Sequence, residues 1–110
     1  MSKNPLIAIL EANIFNRTNY NDWLRHLRIV LNFENQIYVM DMSLPRALPE
    51  GSTQEEILTF KKWHEDNQKV RSIVLASMSN EIQKWYDRHD DVQSIMLYMG
   101  SVYAIFGQAY

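Results

Sequence analysis

Apolar side chains recur at intervals of three and four residues along two stretches of this sequence, which is the spacing of one face of an α-helix. The first stretch contains Tyr20, Trp23, Leu24, Leu27, Val30 and Leu31. The second contains Ile57, Phe60, Trp63, Asn67, Val70, Ile73 or Val74, and Ser77. The pattern predicts two amphipathic helices whose apolar faces form the core, with Trp23 and Trp63 buried.

Shorter apolar stretches predict further helices. Leu6–Leu10 indicates a short helix that ends near Asn13, and Ile82, Trp85 and Tyr86 indicate another. The last predicted helix carries Val92, Ile95, Met96, Met99, Val102, Tyr103 and Phe106. Residues 33–40 suit a short helix, although 37–39 alone would suit a strand, and we favour the helix. The sequence therefore predicts an all-α fold, a single compact domain of four to five helices.

Polar residues that commonly cap helix N-termini precede several of these stretches. Ser52 and Glu55 have the spacing of a capping box, in which each side chain bonds to the other residue's backbone N–H. The predicted caps are Asn4, Asn19, Ser52 with Glu55, and Asp90 or Asp91. The opposite face of the second long helix is expected to be solvated, and it carries Lys61, Lys62, Glu65, Asp66, Lys69 and Arg71.

Two connectors are expected within the single domain, which spans residues 1–110. Residues 13–18 join the first two helices, and residues 41–52 contain Pro45, Pro49 and Gly51, through which a helix cannot continue. Gly100 lies inside the last helical pattern, where glycine lowers helix propensity by about 1 kcal/mol. We therefore expect residues 100–110 to form a frayed tail.

The composition fits one globular domain, with 46% hydrophobic and 22% charged residues among 110. Three glycines and three prolines are few for the tight turns of a β-sandwich. The chain has no cysteine, so it has no disulfide or thiolate metal site, and this fits a reducing compartment. Its longest apolar runs fall far short of the roughly 20 residues that span a bilayer. We expect a cytoplasmic protein with no membrane partner.

The charge argues against a nucleic-acid partner. The formal net charge is −2, and acidic and basic residues are balanced in both halves of the chain. Affinity for nucleic acid depends mainly on neutralising phosphates with Lys and Arg. We therefore expect no direct nucleic-acid binding by this segment, and micromolar affinity for single-stranded RNA at physiological salt, measured by fluorescence polarisation, would contradict that expectation.

No combination of residues indicates an active site. His64 and Glu65 begin a His-Glu-x-x-His zinc motif, but Gln68 stands where the second histidine ligand is needed. Adjacent carboxylates such as Asp90 and Asp91 do not face each other on a helix, so they do not form an acid–base pair. Glycine-rich phosphate loops are missing as well. The sequence therefore predicts a protein that is not an enzyme and that has no cofactor or metal.

Four blocks of sequence resemble, in order, the N-terminal gag segment of plant copia-type LTR retrotransposon polyproteins. The first block, residues 15–31, is similar to the family's start, [Phe or Leu]-x-Gly-x-Asn-Tyr-x-x-Trp followed by Leu-Arg-Ile-Val-Leu. The others are residues 38–41, 62–83, and 90–97 leading to Val102-Tyr103. The positions that carry the family motif and the expected core are Asn19, Tyr20, Trp23, Leu27, Val30, Leu31, Trp63, Val70, Ile73, Leu75 and Met78.

The resemblance implies a fold like the N-terminal part of a capsid protein and a structural role. Such a module associates with copies of itself to build a particle, using helix faces that bury apolar surface. In that family RNA is packaged by basic and zinc-knuckle segments, which this sequence does not contain. Arg17 stands where the family usually has glycine, so a positive φ there would be strained. The alternative function is a truncated or host-adopted gag-like fragment that serves as a protein-interaction module without assembly activity.

Overall fold

The computed structural model describes residues 5–42 and 47–107, with side chains as far as residue 104. The helices are α1 (Ile7–Ala12), α2 (Tyr20–Phe33), α3 (Tyr38–Asp41), α4 (Gln54–Ala76), α5 (Asn80–Tyr86) and α6 (Val92–Gly107). The all-α prediction is confirmed. The described residues form six helices rather than four or five, because α3 is a separate helical turn. Within those residues, no helix is long and apolar enough to cross a membrane.

The apolar faces of α2 and α4 both contribute to one core, and α6 packs against α2, α3 and α4. Trp23, Leu27 and Val30 on α2 are buried, and so are Trp63 and Val70 on α4. The remaining core positions proposed from the sequence are Tyr20, Leu31, Leu75 and Met78, which are buried, and Ile73, which is half-buried. The helical spacing of the apolar residues thus accounts for the centre of the fold.

The connector between α1 and α2 also belongs to the core, which the sequence did not predict. Phe15 is buried, with its ring centroid 5.0 Å from that of Trp23 and 4.9 Å from that of Tyr103. Its N–H donates to the Ser77 carbonyl at 2.8 Å, and its carbonyl accepts from the Ser79 N–H at 3.1 Å. The Trp23 indole N–H donates to the Ser77 hydroxyl at 2.9 Å. These bonds hold the connector and α2 against the C-terminal end of α4.

The capping box of α4 lies one residue later than predicted. The Thr53 hydroxyl accepts from the Glu56 N–H at 3.1 Å, and the Glu56 carboxylate accepts from the Thr53 N–H at 2.8 Å. Ser52 instead donates to the Pro49 carbonyl at 2.7 Å. The prediction of Ser52 with Glu55 is therefore wrong, because the sequence contains the capping-box spacing twice in succession and spacing alone does not distinguish the two.

Asn19 occupies the N-cap position of α2, but its side chain does not cap the helix. Its carboxamide oxygen accepts from the Asn16 N–H at 3.0 Å, and its NH2 group donates to the Ile14 carbonyl at 3.0 Å. The predicted capping role is wrong, because the side chain closes the preceding loop instead. Asn16 and Asn19 together fold the connector back so that α2 can begin beside Phe15.

At the start of α6 the capping residue is Asp91 rather than Asp90. The Asp91 carboxylate accepts from the Ser94 N–H at 2.9 Å. The sequence left these two neighbours open, and the structure assigns the cap to Asp91, so Asp90 is not the capping residue. The predicted cap of α1, Asn4, lies outside the described residues, and α1 begins at Ile7 after a turn at residues 5 and 6.

The last helix continues through Gly100 as far as Gly107, so the expectation of a frayed tail from residue 100 is wrong for that part. Residues 108–110 lie outside the described residues. A Cβ at Gly100 would lie 3.8 Å from the Tyr20 hydroxyl, which is ordinary contact. The packing of α6 on the core outweighs the roughly 1 kcal/mol of helix propensity lost at glycine.

Two side chains expected on the solvated face of α4 are bonded within the fold instead. Asp66 is buried and accepts from Lys62 at 2.6 Å. Arg71 donates to the His89 carbonyl at 2.7 Å and also to the Asp87 carbonyl. Lys62 and Asp66 are four residues apart on α4, a spacing at which helical side chains meet. Helical periodicity could not predict the bonds of Arg71, because its partners lie 16 and 18 residues further along the chain.

Asn67, one turn before Arg71, links the beginning of α6 to α4 by two hydrogen bonds. Its NH2 group donates to the Asp90 carbonyl at 3.1 Å, and its side-chain oxygen accepts from the Val92 N–H at 3.0 Å. Asn67 is itself buried. Because a buried amide needs partners for both its donor and its acceptor, Asn67 fixes the position of the loop between α5 and α6.

Arg17 has a φ of 83°, in the region that glycine adopts most easily. Its guanidinium lies 3.2 Å from the Glu81 carboxylate and 4.6 Å from the centre of the Trp85 ring. The family resemblance predicted backbone strain at residue 17 if its φ were positive, and its φ is positive. The two side-chain contacts link the connector to α5.

We expect the Arg17→Gly variant to be more stable than the Arg17→Ala variant by about 1 kcal/mol. Both variants lose the ion pair and the ring contact, so their difference isolates the strain of a Cβ at positive φ. Urea denaturation of the two variants measures that difference. If alanine proved as stable as glycine, the backbone at residue 17 would be unstrained.

Candidate interaction surface

The last helix, α6, is apolar on both sides and contains no charged residue along its 16 positions. Its inner side is buried and carries Val92, Ile95 and Met99. On its outer side Leu97 is 68% exposed and Tyr98 is 59% exposed. Val102, one of the apolar residues of the last predicted helix, is 41% exposed. We call Leu97, Tyr98, Ser101 and Val102 the outer face of α6.

The outer sides of the other two long helices carry charged residues among some exposed apolar ones, such as Ile29 and Leu58. Arg25 and Arg28 are exposed on α2, and Lys61, Glu65 and Lys69 are exposed on α4. A helix that is apolar all round is usually covered on every side, whereas an amphipathic helix exposes a polar face to water. The outer face of α6 therefore has the composition of a contact surface and not of a solvated one.

A pocket of 330 Å³ borders the outer face of α6, and we call it the aromatic pocket. Its walls include Trp85, Arg88, His89, Tyr98 and Val102. Tyr98 and Val102 belong to both features, so the pocket and the outer face form one continuous surface. No carboxylate side chain is among the described residues that form the walls.

The base of the aromatic pocket is polar but uncharged. Burial raises the pKa of Tyr86 above its ordinary value, and a hydrogen bond with Tyr103 acts in the same direction. The Tyr86 phenol is therefore neutral throughout the physiological range. On the outside, Arg17 covers one side of Trp85, and Glu81 balances the charge of Arg17. The basic side chains among the described walls are those of Arg88 and His89.

A second pocket, of 390 Å³, lies at the start of α4, and we call it the acidic pocket. Its walls include Leu48, Pro49, Glu55, Glu56 and Phe60. A hydrogen bond from the Thr53 N–H lowers the pKa of Glu56, so its carboxylate is charged at neutral pH. Leu58, which lies between Glu56 and Thr59 in the sequence but is not one of the walls, is 58% exposed. The acidic pocket therefore combines negative charge with exposed apolar surface.

A buried carboxylate joins α3 to α4 away from both pockets. Asp66 accepts from the Tyr38 hydroxyl at 2.5 Å and from Lys62 at 2.6 Å. Burial alone would raise the pKa of Asp66, but the hydrogen bonds from Lys62 and Tyr38 outweigh it and hold the pKa below its ordinary value. The ionised carboxylate is thus the form that the fold stabilises.

The contribution of Asp66 to stability should depend on pH. Because its pKa is lower in the folded chain, its stabilising effect is fully present above the ordinary value of 3.8 and is lost as pH falls through the lower folded pKa. We expect the stability difference between the wild type and Asp66→Asn to shrink as pH falls from 7 towards 2, measured by urea denaturation. Glu65→Gln, an exposed neighbour, serves as the control, and a difference independent of pH would contradict this role of Asp66.

The histidine of the incomplete zinc motif is packed among aromatic rings. The His64 ring centroid lies 4.4 Å from that of Phe60 and 4.9 Å from that of Trp63. In the described part of the chain, no three His, Asp or Glu side chains come together in a group that could hold a metal ion. His64 is therefore interpreted as part of a half-buried aromatic cluster on α4.

The residues singled out from the sequence and the residues of the surface are different sets. The family-motif positions, such as Trp23, Leu27 and Val70, lie in the interior and contribute through packing. Leu97 and Tyr98 were not among the candidate residues. A signal for them was present in the sequence, since the segment 92–107 contains no charged residue.

No protein-family model, curated protein or solved structure matches the chain. The function is therefore argued from the surface itself. Its parts are the uncharged outer face of α6, the aromatic pocket beside it and the acidic pocket at the start of α4.

Proposed function

We propose that this chain is a non-catalytic structural module that associates with copies of itself. The observation that carries the proposal is the outer face of α6, where Leu97, Tyr98 and Val102 are exposed on a helix without charge. Covering apolar surface contributes about 25 cal/mol per Å². Protein interfaces are also enriched in aromatic residues and depleted of charge at their centres. The outer face of α6 has both properties.

The kind of assembly follows from the sequence resemblance described above. A gag-like module of a copia-type retrotransposon would associate in the cytoplasm as part of a particle. Direct RNA binding is not part of the proposal, because the net charge of −2 offers little phosphate neutralisation. The partner in the proposal is therefore a second copy of the same chain.

Light scattering after size-exclusion chromatography tests self-association. We expect the molar mass of the wild type to rise with concentration and that of Leu97→Glu to remain the monomer value, because a charge at the centre of an apolar contact would be buried without a partner. Ile29→Glu is the matched control, since it places the same charge at an exposed aliphatic position of α2. The control should associate as the wild type does.

Two outcomes would contradict the proposal. A wild type that remains monomeric at millimolar concentration would exclude self-association and favour the alternative, a gag-like fragment that binds another protein. Equal association of the wild type and a correctly folded Leu97→Glu, with folding checked by circular dichroism, would exclude the outer face of α6 as the contact.

A further inference from the structure

We propose that two copies of the chain bind head to tail, with the aromatic pocket of one copy against the acidic pocket of the next. In this contact Leu58 of one copy enters the aromatic pocket of the other, and Glu55 pairs with Arg88. The inference rests on the proposed self-association and specifies which surface meets the outer face of α6. It concerns two different surfaces, so it differs from a symmetric contact of α6 with itself.

The charges of the two pockets are complementary. Glu55 and Glu56 line the acidic pocket, where the described walls contain no basic side chain. Arg88 and His89 line the aromatic pocket, where the described walls contain no acidic one. Asp87 precedes Arg88, but it is not among those walls. Opposite charges at the edges of two surfaces orient them and disfavour contact between two like pockets.

In each surface an exposed apolar side chain also lies near a charged wall residue. Leu58 follows Glu55 by three residues on α4, so the two project from the same side of the helix. Trp85 and Tyr98 border the aromatic pocket and are both exposed. A pocket of 330 Å³ is large enough to take one leucine side chain. Apolar insertion with a charged pair at the edge is the usual anatomy of a specific interface.

The two pockets are far enough apart to be occupied at the same time. The acidic pocket lies at the first turns of α4. The loop beside the aromatic pocket is bonded to Arg71, which lies near the C-terminal end of α4. From Glu55 to Arg71 the helix rises by about 24 Å at 1.5 Å per residue. Because each copy then offers two separate and different surfaces, the contact can repeat from copy to copy and produce a ring or a filament.

Charge-reversed variants test this arrangement. Arg88→Glu reverses the charge at the aromatic pocket but leaves the acidic pocket, and Glu55→Lys does the opposite. We expect each variant alone to be monomeric by light scattering and an equimolar mixture to associate beyond the dimer, because every head-to-tail contact between unlike variants joins opposite charges. The double variant Arg88→Glu/Glu55→Lys should associate as the wild type does. Lys69→Glu and Glu65→Lys, at exposed positions of α4 outside both pockets, are the matched controls.

The outcomes separate this inference from the proposed function. If the wild type associates but the mixture remains monomeric, or if each single variant associates as the wild type does, the head-to-tail contact is wrong and self-association stands. If the wild type is monomeric at every concentration, both the head-to-tail contact and the proposed self-association are wrong. Association of the wild type that is unaffected between 50 mM and 1 M salt would also contradict the Arg88–Glu55 pair, because exposed charge pairs are screened by salt.

Discussion

Replacing Trp23 with alanine is expected to lower the free energy of unfolding by about 3–5 kcal/mol. The Trp23 ring is buried beside Phe15, and its indole N–H donates to the Ser77 hydroxyl at 2.9 Å. The substitution removes this packing, leaves a cavity and deprives Ser77 of a buried partner. Since small domains have only about 5–15 kcal/mol of stability, the variant should have a much lower melting temperature, measurable by circular dichroism.

Trp85→Ala provides the matched control for Trp23→Ala. Trp85 is 49% exposed and contacts the Arg17 guanidinium. Its replacement should lower the stability by only about 1 kcal/mol. If the two alanine variants melted at the same temperature, Trp23 would not be a centre of the core.

Replacing Asn67 with alanine is expected to lower the free energy of unfolding by about 2–4 kcal/mol, since two backbone groups, one of them buried, lose the hydrogen bonds to the Asn67 side chain. Those groups are the Asp90 carbonyl and the Val92 N–H. The loop between α5 and α6 should also become less ordered, which amide hydrogen exchange at residues 87–92 would detect. Asn67 lies on a mainly apolar face of α4. The expected loss of stability therefore comes from its hydrogen bonds and not from apolar packing.

Gln68→Ala is the control, because Gln68 is exposed and directly follows Asn67 on α4. It should change the stability by no more than about 0.5 kcal/mol. A loss of stability for Asn67→Ala as small as that of the control would mean that the two hydrogen bonds are replaced by water at no cost.

The parts of the fold that depend on local spacing could be predicted from the sequence. The buried face of α2 follows from the interval of three and four residues that separates Trp23, Leu27 and Val30. The start of α4 was predicted to within one residue, because capping boxes have a fixed spacing that occurs twice here. Helical periodicity and capping are short-range, so one sequence is enough to indicate them.

The features that depend on distant partners could not be predicted in this way. Phe15 looked like a residue of a connector, and its burial depends on Ser77 and Tyr103, which lie more than 60 residues away. Asp66 and Arg71 looked solvated because charged residues on a helix usually are. Their partners on α3 and in the loop after α5 are brought near only by the tertiary fold.

The candidate surface could be predicted from the sequence only in part. The lack of charge between Val92 and Gly107 is visible in the sequence and indicates a helix covered on more than one side. Which residues remain uncovered depends on how α6 packs, and that is why Leu97 and Tyr98 could be identified only in the structure. The opposite charges of the two pockets likewise result from the packing of separate segments.

The bonds between Phe15 and the end of α4 have a consequence for the order of folding. Ser77 and Ser79, which bond to Phe15 and Trp23, are synthesised more than 50 residues after them. During translation the first third of the chain therefore has no site in which to bury these two aromatic rings until α4 has left the ribosome. Contacts between residues so far apart in sequence also slow folding, because the entropy of closing the loop is lost before the contact forms. Until then the N-terminal segment exposes aromatic surface, and chaperones bind such surface on nascent chains.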